Sequence, residues 1–71
     1  MNINAAYDSQ SYVWPFNNND RVVLNAEYNG HAKGLIGKVD LSKPAYFWVI
    51  WDDNTYSSFS KLQMKYLNAA S

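Results

Sequence analysis

A run of large apolar residues in the middle of the chain constrains the fold most. Positions 46–51 read Tyr-Phe-Trp-Val-Ile-Trp and are followed directly by two aspartates. Aromatic and β-branched residues favour strands, and the side chains of a strand alternate between its two faces. One face would carry Phe47, Val49 and Trp51, and the other Tyr46, Trp48 and Ile50. A chain of 71 residues has room in its core for one of these sets, so the other set must be covered by another segment of the chain or by a partner.

We assign the odd-numbered set to the interior because Val49 is central in the strand and Trp51 adjoins the turn. The expected core consists of Phe47, Val49, Trp51, Val22, Leu24, Ile36, Val39, Phe59, Leu62 and Leu67. Ile36 and Val39 differ in parity, so both can point inward only if the strand is irregular between them. Gly37 permits a bulge, which we therefore expect there.

Short β segments separated by turn signals follow Asp20 and predict an all-β fold. The expected strands are 21–25, 35–41, 46–52, 56–59 and 64–67, which form a small five-stranded barrel over residues 20–71. Asn29-Gly30 and Asn54 suit turn positions with positive φ. Positions 60–63 are too short for a stable helix and predict one 3₁₀ turn.

Residues 1–19 predict an irregular N-terminal arm, partly disordered, rather than a second domain. They are rich in Asn, Ser and Gln and show neither helical nor strand periodicity. The exception is the apolar island 12–16, which contains Trp14 followed by Pro15. We expect this island to pack against the barrel.

Charge and composition exclude several classes of protein. Six basic and six acidic residues balance, so the molecule as a whole has no field that attracts phosphate backbones. The absence of cysteine excludes disulfides and thiolate metal sites, which makes the cytoplasm the expected location. The longest apolar run falls far short of the roughly 20 residues of a membrane helix, and the first residues carry neither a positive nor an apolar leader segment, so we expect a soluble chain without a targeting signal.

Four motifs resemble the SH3-like barrels: Asp20-Arg21-Val22-Val23, Gly34-Leu35-Ile36-Gly37-Lys38-Val39, Val49-Ile50-Trp51-Asp52-Asp53-Asn54 and Phe59-Ser60-Lys61-Leu62. The resemblance covers about fifty residues, from Asp20 to Asn68. Within this superfold the pattern is similar to KOW-type modules, to the small photosystem I subunit PsaE and to the plasmid-encoded type II dihydrofolate reductases. The superfold has ribosomal, chromatin-reading, scaffold and enzymatic members, so the resemblance implies a fold and not one function.

Two members imply specific functions. The reductases share the length, an aromatic-Pro arm and a start similar to Asp20-Arg21-Val22, but their Val-Gln-Ile-Tyr strand corresponds here to Tyr56-Ser57-Ser58-Phe59, which lacks the Gln and the Tyr. KOW-type modules imply contacts with nucleic acid or the ribosome through basic loop residues. Lys33, Lys38 and Lys43, with Arg21 nearby, fall where such contacts would be made.

Catalytic groups are sparse along the chain. His31 is the only histidine and lacks neighbouring metal ligands or a nucleophile, which suggests an exposed loop residue. Asp52 and Asp53 are adjacent, and we expect them to cap the turn rather than converge across a cleft. The serines 57, 58 and 60 fit a polar strand face. We therefore expect no enzyme activity, no cofactor, no metal and no small-molecule substrate.

The sequence predicts a non-catalytic protein-interaction module that binds a larger protein complex, such as a small accessory protein or a modulator carried by a phage or plasmid. The expected contact residues are Tyr46, Trp48, Ile50, Tyr28, His31, Lys33 and Trp14. A protein partner or a second copy of the chain would cover the outer aromatic side chains. Four alternatives stay open: a cover formed by the N-terminal arm, an aromatic cage for a methylated lysine, a KOW-like nucleic-acid or ribosome-associated site, and an enzyme similar to the type II dihydrofolate reductases.

Overall fold

The computed structural model describes residues 13–43 and 46–70 and shows five antiparallel strands in one sheet. The elements are β1 (Arg21–Leu24), β2 (Ile36–Asp40), β3 (Phe47–Trp51), β4 (Tyr56–Phe59), a 3₁₀ helix (Lys61–Tyr66) and β5 (Leu67–Ala69). The order in the sheet is β4-β3-β2-β1-β5, which is compatible with a small barrel. In this part of the chain no helix has the length and apolarity needed to cross a membrane. The predicted all-β fold with five strands and a 3₁₀ segment is confirmed.

The strand boundaries follow the predicted ones closely except at β5. This strand starts at Leu67 instead of position 64 because the 3₁₀ helix continues to Tyr66. The helix begins after Ser60, whose backbone N–H donates to the side-chain oxygen of Gln63 at 2.8 Å, while the Gln63 N–H donates to the Ser60 carbonyl at 3.0 Å. The first bond gives the N–H of the N-cap residue a partner, and the second is the first regular bond of the 3₁₀ helix.

The inward face of β3 forms the centre of the core, as predicted. Phe47 and Val49 are fully buried and Trp51 nearly so. Phe59 contacts the rings of both Phe47 and Trp51 in T-shaped geometry, at centroid distances of 6.3 and 6.2 Å. The indole N–H of Trp51 donates to the hydroxyl of Ser57 at 3.0 Å, so the one polar group of this ring is satisfied inside the core.

The predicted bulge at Gly37 and the inward position of Ile36 are wrong. Gly37 lies opposite Val22 on β1 and opposite Trp51 on β3, and the ladders continue in regular register from residue to residue. Gly37 is thus the inward residue, while Ile36 points outward and is 36% exposed. The regular strand is preferred because Trp51 fills the space that a side chain at position 37 would need.

The predicted burial of Leu62 is also wrong. Leu62 lies in the 3₁₀ helix and is 84% exposed. Two other residues of this helix, Met64 and Tyr66, pack against the core instead. A short helix covers the core with only part of its circumference, and here that part does not include Leu62.

The predicted turns with positive φ are confirmed. Asn29 and Gly30 have φ values of 51° and 81°, and their two-residue turn closes a bridge between Tyr28 and His31. Asn54 has a φ of 72° in the turn between β3 and β4. Asparagine and glycine tolerate this left-handed conformation, which explains their positions.

Part of the N-terminal island packs against the core, as predicted. The rings of Trp14 and Phe16 lie 5.1 and 6.2 Å from the ring of Phe47. Val13 points to solvent, and Tyr12 lies outside the described residues. The described end of the arm therefore covers the interior side of β3 and not its outward side.

Replacing Gly37 with Ala should destabilise the fold by about 1–3 kcal/mol, because it overpacks the core. A Cβ atom at this position would lie 2.7 Å from both Trp51 Cε3 and Val49 Cγ1, and 2.8 Å from the backbone oxygen of Ile50. Urea unfolding followed by circular dichroism measures the change. Lys38→Ala on the outward side of the same strand is the control and should stay within about 0.5 kcal/mol of the wild type. Equal stability of the Gly37→Ala variant would contradict this view of the core.

Candidate functional site

Four large side chains lie together on the outward side of β3 and β4. We call Tyr46, Trp48, Ile50 and Tyr56 the aromatic face. Trp48 and Ile50 alternate with the buried residues of β3, and Tyr56 lies directly opposite Ile50 on β4. Tyr46, Ile50 and Tyr56 are 57%, 39% and 63% exposed, whereas Trp48 is partly buried. The predicted clustering of Tyr46, Trp48 and Ile50 outside the core thus exists, with Tyr56 in addition.

Trp48 is the centre of the aromatic face. Its ring lies 6.5 Å from that of Tyr46 at an interplanar angle of 78°, and 5.5 Å from that of Tyr56 at 58°. Tilted and edge-to-face ring pairs of this kind contribute about 0.5–1.5 kcal/mol each beyond their buried area. The two tyrosines therefore hold the indole in place before anything binds.

A groove adjoins the aromatic face on the side of β2. It has a volume of about 240 Å³ and is lined by Asp40, Lys43, Trp48, Ile50 and Tyr56. Asp40 comes from the end of β2, where it is paired with Trp48, and Lys43 follows it in the connection to β3. Sites for drug-sized molecules or cofactors usually measure about 300–1,000 Å³. The groove is thus of a size to hold one large side chain.

The carboxylate of Asp40 is directed into its own turn. One oxygen accepts hydrogen bonds from the backbone N–H of Ser42 at 2.9 Å and from the Ser42 hydroxyl at 2.6 Å. These bonds hold the pKa of Asp40 below its usual value, and the positive charges of Lys43 and Lys38 act in the same direction. Asp40 therefore stays ionised at neutral pH.

Three cationic side chains surround this region and differ in their partners. Arg21 forms a two-pronged contact with Asp52, with N–O distances of 3.1 and 3.2 Å. Lys38 is paired with Ile50 in the register of β2 and β3, and Lys43 lines the groove. Within residues 13–43 and 46–70, neither lysine forms an ion pair.

Two of the predicted contact residues lie on the interior side of the sheet. Tyr28 stacks on Phe59 at 4.3 Å, and its hydroxyl donates to the carbonyl of Ser58 at 2.8 Å. Burial raises the pKa of Tyr28, and the neighbouring Tyr66 adds to the effect. Trp14 packs against Phe47, as described above. Neither ring joins the aromatic face.

The other two predicted contact residues belong to the connection between β1 and β2. The ring of His31 lies 5.7 Å from that of the buried Trp51. Lys33 is exposed and does not line the groove. The structure therefore brings together three of the seven predicted residues. Tyr56 and Asp40 join them because the alternation of β4 and β2 places them on the same side, and Lys43 joins them from the connection that follows β2.

The adjacent aspartates after β3 have different structural roles. Asp53 accepts bonds from the backbone N–H of Thr55 at 3.0 Å and from its hydroxyl, which caps the turn as predicted and lowers the Asp53 pKa. Asp52 instead pairs with Arg21 across the sheet, so the prediction that it caps the turn is wrong.

Comparisons with protein-family models, curated proteins and solved structures found no match to this chain.

Removing the Ser42 hydroxyl should raise the pKa of Asp40 part of the way toward its usual value. The Ser42→Ala variant keeps the backbone N–H donor and loses the side-chain donor, which has the largest effect on this carboxyl. NMR titration of the carboxyl carbons gives both values, with Asp53 as an internal control because its hydrogen bonds come from Thr55.

The lowered pKa of Asp40 also makes the stability of the fold depend on pH. A carboxyl whose pKa is lowered by folding stabilises the fold above its unfolded-state pKa, and this contribution disappears as the pH falls through the folded-state pKa. The wild type should therefore lose more stability than Ser42→Ala on acidification. An unchanged Asp40 pKa in the variant would contradict the assigned role of Ser42.

Proposed function

We propose that the chain is a non-catalytic protein-interaction module with an SH3-like barrel fold, and that the aromatic face binds a larger protein. The observation that carries this proposal is the outward cluster of Tyr46, Trp48, Ile50 and Tyr56 beside a groove of side-chain size. Five antiparallel strands, with a 3₁₀ helix before the last, support the SH3-like fold.

The chemistry of the aromatic face suits a protein partner. Tryptophan and tyrosine are enriched among the residues that dominate binding energies, because they bury a large area and lose little conformational entropy. Trp48 is also held by its two neighbouring rings, which reduces the cost of ordering it on binding. A central, pre-ordered indole with more exposed tyrosines around it is typical of an interface anchor.

The size of the aromatic face sets a scale for the affinity. If each of the three aromatic side chains has a surface of about 200 Å², the exposed fractions of Tyr46, Trp48 and Tyr56 leave roughly 300 Å² that a partner can cover. At about 25 cal/mol per Å², covering this area contributes roughly 7 kcal/mol, whereas association costs about 4–15 kcal/mol. The aromatic face alone would give a weak complex, so a stable one requires polar or charged contacts at its border.

Replacing Trp48 with Ala should weaken partner binding by about 2 kcal/mol or more, which is roughly a thirtyfold loss of affinity, and leave the sheet folded. The wild type and the variant are immobilised and exposed to a lysate of the organism that encodes the chain. Proteins retained by the wild type are purified, and their affinities are measured by calorimetry.

Leu62→Ala is a matched control because it removes another large apolar side chain, one that is exposed on the 3₁₀ helix outside the aromatic face. This variant should bind like the wild type. Circular dichroism and urea unfolding verify that both variants are folded. Equal binding by Trp48→Ala and the wild type would exclude the aromatic face as the interface, and unfolding of the variant would show that the indole serves the fold instead.

A further inference from the structure

We propose that the partner contacts the aromatic face with an acidic segment, in which one apolar side chain enters the groove and flanking carboxylates meet Lys38 and Lys43. This inference rests on the proposed function and specifies the chemistry of its partner. It follows from the groove, from the charges at its border and from the edge of the sheet.

The groove has an apolar wall and a charged wall. Trp48, Ile50 and Tyr56 form the first, and Asp40 and Lys43 form the second. A volume of about 240 Å³ holds one aliphatic or aromatic side chain and little more. The segment that binds there must therefore present a single apolar residue next to polar or charged ones.

The charges at the groove leave a local excess of one positive charge. Among the lining residues Lys43 and Asp40 balance, and the excess comes from Lys38, which lies beside Ile50 in register at the border of the groove. Asp40 already accepts two hydrogen bonds from Ser42, and in the described part of the chain neither lysine has an ion-pair partner. Carboxylates of a partner would form ion pairs with these two lysines.

The same features favour a protein segment over a nucleic acid. Binding to a phosphate backbone depends on several cationic contacts, whereas two lysines border the groove and the full chain has no net charge. The rings of Tyr46 and Tyr56 lie 6.5 and 5.5 Å from that of Trp48, so part of the indole surface on which a base would stack is already in contact with other rings.

The edge of the sheet indicates that the segment binds through its side chains. β4 is at one end of the strand order, where a partner strand could in principle be added. The Tyr28 hydroxyl, however, donates to the carbonyl of Ser58 in the middle of this strand. It thereby occupies a backbone acceptor that an added strand would use, so the aromatic face and the groove supply the contacts instead.

The test is a selection from a random dodecapeptide library displayed on phage, with the immobilised wild-type protein as bait and the Trp48→Ala variant for counter-selection. We expect enriched peptides that carry one aromatic or aliphatic residue flanked by Asp or Glu. The most enriched peptide is then synthesised, and its affinity is measured by calorimetry at low and high salt.

A charge-reversed variant tests the role of the two lysines. Lys38→Glu combined with Lys43→Glu should weaken the binding of the selected peptide about tenfold at low salt, since two exposed ion pairs are replaced by two contacts between like charges. High salt should reduce the difference from the wild type. Lys33→Glu is the matched control, because it makes the same charge change on an exposed loop residue that does not line the groove.

The possible outcomes separate this inference from the proposed function. Enriched peptides that are neutral or basic, but still need Trp48, would overturn the acidic partner and leave the interaction module standing. A library without any Trp48-dependent peptide would overturn both. Tighter binding of a single-stranded oligothymidine than of any peptide, lost in the charge-reversed variant, would replace the protein partner with a nucleic acid.

Discussion

The close contact between the Trp51 indole and the backbone of Gly37 is the constraint on which the sheet depends. The indole is almost fully buried, and a side chain at position 37 would collide with it. A shift of the β2–β3 register by one residue would bring Ile36 or Lys38 against the ring and turn every side chain of the strand to the opposite face. One glycine opposite one tryptophan thus fixes how β2 and β3 pair.

The same register determines the composition of the outward surface. Once Gly37 faces Trp51 and Val39 faces Val49, Lys38 must lie beside Ile50 and Asp40 beside Trp48. The charges at the groove are therefore placed by the packing of the core on the other side of the sheet. The pairing of β2 with β3 thus determines both the aromatic face and the interior. This explains why β3, which is apolar on both sides, contributes to both without a bulge.

The alternation of β3 was sufficient to predict its inward and outward residues, because a period of two leaves only two assignments and the size of the chain excludes burying both. The turns at Asn29-Gly30 and Asn54 were predictable from the backbone conformations that these residues tolerate. The predicted inward position of Ile36 is wrong because Trp51 takes the space on the inward side of β2 next to it, which leaves room only for Gly37. In a core this small, the volume of one large ring decides which residues of the neighbouring strand point inward.

The remaining differences come from contacts between residues distant in sequence. The burial of Tyr28 depends on its stacking with Phe59 and on a hydrogen bond to Ser58, thirty positions away. The exposure of Leu62 depends on the orientation in which the short 3₁₀ helix packs against the sheet. Neither arrangement leaves a local signal in the sequence, since an aromatic residue near a loop suits a core and an interface equally well.

An aromatic face next to an edge strand carries a risk of self-association, and two features of the structure counter it. The Tyr28 hydroxyl occupies a backbone acceptor of β4, which hinders the addition of a strand from another copy. Two facing copies would also bring together two lysine pairs, each with an excess of one positive charge over Asp40. A second copy offers these lysines only its Asp40, which already accepts bonds from Ser42, whereas a partner with several carboxylates could pair with both lysines. The charges that limit pairing between copies are thus the ones that would select an acidic partner.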